Sequence, residues 1–288
     1  MILLWSKRIR WVLMLVVLGY LAICTYMWAI QRQQIFKPSS RLQTTPERFG
    51  LKFEVVHIPS GSGAEHGDLY AWWFPAESTD APTMLYLHGN DKNIGAAHEV
   101  EKAARFHDMG YQLLLVDYRG YGMSTGGKPS EAKMYEDAEM SWNYLIDQRK
   151  SIPKHTFIYG HSLGGAVAIE LALHHPKAGG LIVEGSFTSM RDMAEREYAW
   201  LPVDLLLNQR FDSIGIIPHL KIPLLLIHGT WDTLVPYRMS QRLFESAPQP
   251  KFLKLVEGGE HDNSDMVAPL EYRKTVSEFV QNVMANQQ

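Results

Sequence analysis

Residues 156–173 read TFIYGHSLGGAVAIELAL, and the rest of the chain is interpretable once this stretch is. Thr156–Tyr159 is a short β-branched and aromatic run, the composition of a buried strand. Gly165–Leu173 is rich in Ala, Leu and Ile and has the length of a helix. Between them Gly160-His161-Ser162-Leu163-Gly164 fits G-x-S-x-G, a weak signal alone and a strong one between a strand and a helix. That arrangement puts Ser162 at a sharp elbow. The flanking glycines are required because side chains there would collide with neighbouring backbone. The helix N-terminus behind the serine adds a partial positive charge that favours a developing anion.

A serine hydroxyl is a poor nucleophile until a neighbouring base takes its proton. At an elbow of this kind the acid and base follow the nucleophile in chain order, each after a later strand. Asp232 lies in the loop leaving the apolar run Leu224–His228, and His261 follows the run 252–256 in Gly258-Gly-Glu-His261. Taken singly, Asp232 reads equally well as a turn aspartate and His261 as a solvated loop histidine. The order of all three after the expected strands selects them as a triad, with Ser162 attacking, His261 moving the proton and Asp232 orienting the imidazole. The oxyanion donors expected are the backbone N–H groups of Leu163 and Asn90, the latter in His88-Gly89-Asn90, where Gly89 permits close approach. His88 and His228 are read as structural hydrogen-bonding residues, and His161 as lining the site at most.

Other motifs fail. Gly61-Ser-Gly63 is not completed at His66, Gly127-Lys128 runs into Pro129, and there is no His-Glu-x-x-His. His174 and His175 are adjacent on a helix and cannot face one metal. No cofactor and no metal is implied.

Outward from the elbow, short β-rich runs alternate with helical ones, the pattern of a largely parallel sheet covered on both faces. Strands are expected at 53–58, 69–74, 83–88, 112–117, 156–160, 180–184, 223–228 and 252–256, with helices near 94–109, 131–149, 163–174, 237–246 and 266–284. The first two strands are separated by a Gly/Ser loop with no room for a helix, so they form an antiparallel hairpin at one edge. Residues 187–221 break the alternation and are expected to be a small lid.

The 288 residues are 46% hydrophobic with a net charge of −3, enough for one substantial core and without the basic stripe that nucleic acid would need. The single cysteine, Cys24, excludes a disulfide. Residues 11–30, WVLMLVVLGYLAICTYMWAI, carry no charge. At 1.5 Å per residue they span about 30 Å, the hydrocarbon thickness of a bilayer. Trp5 and Trp11 at one end, and Tyr26 and Trp28 at the other, fit interfacial belts. Lys7, Arg8 and Arg10 resemble the start of a signal peptide, but the apolar run is long and no small-x-small site follows. The expectation is an uncleaved anchor: a basic segment 1–10, a transmembrane helix 11–30, a linker 31–50 and a catalytic domain 51–288. Such an anchor contributes nothing to the triad, so deleting residues 1–31 is expected to release an active domain. The basic segment is short and close to the span, which favours a cytoplasmic N-terminus with the domain on the far side, the periplasm in a bacterium.

Together His88-Gly-Asn, Asp117-Tyr-Arg-Gly-Tyr-Gly-Met-Ser124, Gly160-His-Ser-Leu-Gly, Glu184-Gly-Ser-Phe-Thr-Ser, Arg210-Phe-Asp, Ile227-His-Gly-Thr-Trp-Asp232 and Gly259-Glu-His261 resemble one branch of the α/β-hydrolase superfamily. It is the membrane-anchored branch of monoacylglycerol-lipase and depalmitoylase type, with single-span bacterial relatives. The resemblance covers about residues 50–285. It implies an α/β-hydrolase fold, an eight-stranded, mostly parallel sheet with helices on both faces, and cofactor-free hydrolysis of carboxylic esters on small-molecule or lipid-like substrates. Thioester hydrolysis with the same triad is the alternative. A non-catalytic hydrolase-fold receptor or assembly factor is the alternative of another class, and such proteins usually lack a triad member. The palmitoylated cysteine cluster of depalmitoylases is not matched, since only Cys24 is present.

Overall fold

A computed structural model of the chain describes residues 2–63, 66–78 and 80–286, without the side chains of residues 2–6, so that of Trp5 lies outside it. The strands are β1 (Glu54–Ser60), β2 (Gly67–Phe74), β3 (Thr83–Leu87), β4 (Gln112–Val116), β5 (Thr156–His161), β6 (Gly180–Glu184), β7 (Leu224–Gly229) and β8 (Lys251–Val256). They form one sheet in the order β8-β7-β6-β5-β3-β4-β2-β1. The hairpin β1–β2 lies at the edge as expected, and β2 also runs antiparallel to β4. Every other pairing is parallel.

Because both faces are covered, the inner strands are apolar along their length rather than alternating. Met84 and Tyr86 of β3 pack with Val100 and Phe106 of α2 (Ala97–Asp108) and with Val276 and Phe279 of the C-terminal helix Pro269–Ala285. Leu85 and Leu87 face the opposite side, toward Met134 of α3 (Glu131–Asn143) and Val167 of α4 (Leu163–His174).

Residues 187–221 are neither one helix nor a strand. They fold as three short α-helices, α5 (Met190–Glu197), α6 (Val203–Leu206) and α7 (Ser213–Ile216), the last followed by a 3-10 turn at Ile217–His219. Ser189 accepts a capping bond from Asp192 N at 3.0 Å. Glu131 at the start of α3 accepts from the Phe211 N–H at 2.6 Å and tethers the far end of the insertion.

At the N-terminus, α1 runs from Ile2 to Ile35, well past residue 30. It is long and apolar enough to cross a membrane. The segment expected to be a linker is instead laid onto the domain. Ile35, Phe36, Thr44 and Pro46 are buried, and Phe36 meets Phe211 edge-on with ring centroids 6.2 Å apart. Lys37–Pro38 pairs in parallel with Asp91–Lys92, directly after the His88-Gly89-Asn90 loop. Gln43 and Thr44 both donate their N–H groups to Gly95 O. The polar composition of 31–50 suggested solvent because these backbone bonds leave no trace in residue type.

Candidate active site

The carboxyl ends of β5, β7 and β8 bring Ser162, Asp232 and His261 together, at the edge where ligands bind in open α/β sheets. Ser162 sits between β5 and α4 with φ 53° and ψ −118°, a backbone region that costs a non-glycine residue energy. Surrounding bonds hold it there. Its N–H donates to Glu184 O at 2.9 Å, and its carbonyl accepts from Ser186 Oγ at 2.8 Å. The glycine requirement is steric, as the motif implies. A Cβ on Gly160 would overlap the Gly164 carbonyl, and one on Gly164 would overlap the carbonyls of Leu87 and His88. Gly89 differs from expectation: a Cβ there would lie 3.5 Å from Ser162 Cβ, an ordinary contact.

His261 Nε2 lies 3.0 Å from Ser162 Oγ, and Nδ1 lies 2.6 Å from Asp232 Oδ2. A carboxylate only accepts, so Nδ1 carries the proton and Nε2 is free to accept from the serine. The other oxygen of Asp232 accepts from the N–H groups of Leu234 at 2.9 Å and Val235 at 2.8 Å. Burial opposes the charge on Asp232, but hydrogen bonds from His228 and His261 and the nearby imidazole charge outweigh it and hold the carboxyl below the usual range. His228, fully buried, donates from Nε2 to Val235 O at 2.8 Å and to Asp232 Oδ2 at 3.1 Å. Its Nδ1 therefore accepts from Ser240 Oγ at 2.6 Å. The structural role read for His228 is thus a specific one, steering the aspartate.

His161 does not line the cavity. It is buried, and its Nε2 donates to the carbonyl of His261 at 3.0 Å. Burial first, then the charges of Lys102 and His261, push its imidazole down to about 4, so it is neutral at ordinary pH. Nothing in residue type foretold this contact. His161, His261 and Asp262 form a cluster with metal-ligand spacing, yet both nitrogens of His261 and Nε2 of His161 already have protein partners.

Leu163 begins α4, so its N–H is among the amides that have no acceptor within the helix. Asn90 uses its other groups elsewhere: its carbonyl accepts from Lys37 N and Tyr121 Oη, each at 3.0 Å, and its amide donates to Ile35 O at 2.9 Å. The backbone N–H of Asn90 has no acceptor among the described residues. His88 is packed between Tyr118 and Tyr121 with Nε2 3.4 Å from Asp117 Oδ1, but neither ring nitrogen makes a hydrogen bond among the described residues, so it packs rather than bonds as expected.

A cavity of about 260 Å³ opens over Ser162, Leu163 and Asn90. Its walls are mostly apolar, from the insertion (Met193, Leu201, Leu207) and from the Asp232 loop (Leu234). The third wall is α1 itself, through Met27, Gln31, Gln34 and Ile35. The helix expected to contribute nothing to the triad supplies none of its residues, yet it walls the cavity beside it.

Comparison with known proteins agrees with this architecture. The family Hydrolase_4, described as serine aminopeptidase, S33, matches residues 80–214. An uncharacterised protein of Mycobacterium tuberculosis (strain CDC 1551 / Oshkosh) is 33% identical over 248 residues, 85% of this chain and 85% of that protein. The chain belongs to the ABHD-like branch of the α/β-hydrolases. Protein bem46 of Schizosaccharomyces pombe is 30% identical to this ABHD-like hydrolase, over 77% of this chain and 74% of bem46. The lysophosphatidylserine lipase ABHD12 of Danio rerio is 32% identical over 71% of this chain but 58% of its own length. In fold, the ABHD-like chain resembles esterase Pf2001 of Pyrococcus furiosus, with a TM-score of 0.71 at 24% identity over 85% of this chain and 98% of that one.

Proposed function

We propose that this hydrolase is a membrane-held serine esterase acting on lipid-like carboxylic esters through an acyl-enzyme on Ser162. The observation that carries the reading is the continuous Ser162–His261–Asp232 hydrogen-bond chain at the floor of an apolar cavity. Ser162 Oγ attacks the ester carbonyl carbon while its proton passes to His261 Nε2. Asp232, kept ionised, stabilises the imidazolium. The carbonyl oxygen becomes an oxyanion that the Leu163 and Asn90 N–H groups receive. Collapse breaks the bond to the alcohol oxygen, which takes the proton from His261. Water then attacks the acyl-enzyme, gives its proton to the same nitrogen, and the acid departs as Ser162 regains its hydrogen.

The wall chemistry favours an acyl chain, and the lipase named among the relatives points the same way. A thioester would be handled by the same groups. The 187–221 insertion acts as a lid, and α1 anchors the chain with the catalytic domain on the non-cytoplasmic side. Activity against an ester series of graded acyl length, together with fluorophosphonate labelling, tests the reading. No turnover and no label at Ser162 on folded protein would end it. Protease added outside sealed spheroplasts should digest the 50–288 domain; resistance until permeabilisation would reverse the orientation.

A further inference from the structure

The lid runs alongside α1 for much of the apolar stretch. Gln31 Nε2 donates to Leu206 O at 3.0 Å, and Gln31 Oε1 accepts from Asn208 N at 2.8 Å. Farther up, Cys24 is buried with Leu201 and Val203, and Met27 packs on that cluster. Farther still, Tyr20 Oη donates to Trp200 O at 3.0 Å, with the two rings 6.5 Å apart. From Gln31 to Tyr20 is about 16 Å along a helix. Tyr20 is the midpoint of the uncharged residues 11–30.

This geometry forces a choice. If residues 11–30 fill the hydrocarbon, the lid edge reaches about 15 Å into it, half its thickness. If Tyr20 is instead kept at the surface, residues 2–19 must span, and Arg10 then falls near the bilayer centre with Lys7 and Arg8 beside it. Three unpaired cations in hydrocarbon are the costlier arrangement. The lid is suited to entry. Trp200 is 57% and Leu205 84% exposed, and Leu234 at the cavity mouth is 56% exposed. Four of its nine charged residues are in ion pairs, Arg191 with Glu195 and Asp204, and Asp192 with Arg242, while Glu197 at the cavity has none among the described residues. Arg196 spans the carbonyls of Thr233 and Leu234 at 3.0 Å.

We propose that the lid and the C-terminal half of α1 are immersed together in one leaflet, and that the cavity takes its acyl chain sideways from that leaflet. Met27 and Ile35 of the membrane helix then form part of the acyl-binding wall. This inference rests on the lipid-esterase reading for its substrate, but its geometry can be tested without turnover.

The experiment uses the full chain in vesicles of phosphatidylcholine and phosphatidylglycerol. Nitroxide labels are placed at Trp200→Cys, Leu205→Cys and Ile152→Cys in a Cys24→Ala background, the last position being exposed before the amino end of β5, opposite the site. Dissolved oxygen should relax labels 200 and 205 more than an aqueous nickel chelate does, with 200 the deeper, and the order should reverse at 152. Nickel access at 200 and 205 equal to that at 152 overturns the proposal. So does protection from both reagents, which would mean a protein partner covers the lid. A second variant, Leu205→Asp, should slow hydrolysis of a vesicle-held long-chain ester roughly tenfold while sparing a water-soluble short-chain ester. Equal rates on the vesicle ester also overturn it. Immersed labels on a protein inactive toward both esters would sink the esterase reading and leave the immersion standing.

Discussion

The imidazole of His161 holds the backbone of His261 in place: Nε2 of the first lies 3.0 Å from the carbonyl oxygen of the second. The residue before the nucleophile thus steadies the base. Burial, then the charges of Lys102 and His261, keep that ring neutral against the opposing pull of Glu99 and Glu184.

That placement has a pH consequence. Burial holds the folded-state value of His161 at about 4, below the roughly 6.5 of an exposed histidine. Between these values the unfolded chain binds the extra proton, so stability falls as pH drops from about 6.5 to about 4. The loss is on the order of 3 kcal/mol over that window. His161→Gln removes the titration, so the melting temperature of this variant should depend less on pH than that of the wild type between pH 4 and 6.5. Parallel melting curves across that range would show that His161 is charged in the folded protein.

Ser162→Ala should abolish ester turnover and fluorophosphonate labelling, a loss of several orders of magnitude for an activated nucleophile. The melting temperature should stay near wild type, because the elbow is fixed by the backbone bonds to Glu184 and Ser186, which the substitution keeps. A variant retaining a tenth of wild-type turnover would remove Ser162 from the mechanism.

The elbow and the later strands were legible because glycine, chain order and apolar runs report them directly. The strands expected at 83–88 and 180–184 appear at Thr83–Leu87 and Gly180–Glu184. What sequence could not convey is the destination of polar residues. Glu99 and Lys102, charged residues inside the helix expected near 94–109, are only 1% and 2% exposed. Likewise Gln31 and the polar residues after it read as a tether, whereas they meet the lid and the Asn90 loop. Partners distant in sequence decide both cases, and residue type carries no record of them.

The buried charges under the site make a separate prediction. Lys102 Nζ lies 2.8 Å from Glu184 Oε1, and Glu184 Oε2 accepts from Tyr159 and Tyr272, each at 2.7 Å. Lys102→Met leaves Glu184 charged and unpaired in the core, a cost of about 3–5 kcal/mol. Adding Glu184→Gln should restore part of that loss by removing the stranded charge. Denaturant unfolding of both variants is the check, and a double variant no more stable than the single one would count against the pairing.

Truncation of α1 separates anchoring from its second role. Removing residues 1–19 takes away the charged segment and half the apolar stretch but keeps every described contact from Tyr20 onward. In detergent, this shortened protein should hydrolyse a soluble ester within about twofold of the full chain, since no cavity wall is touched. Removing residues 1–31 also deletes Met27 and Gln31. Gln31 supplies two lid bonds worth about 1 kcal/mol each, and Met27 adds roughly another 1–2 kcal/mol of apolar burial. With about 3–4 kcal/mol of support gone, the lid should detach part of the time and expose 187–221 to limited proteolysis. KM should rise and kcat/KM fall roughly tenfold or more, because the acyl wall rather than the proton relay has been removed. If the 32–288 fragment matches the 20–288 fragment in KM and in protease resistance, α1 is an anchor and nothing more.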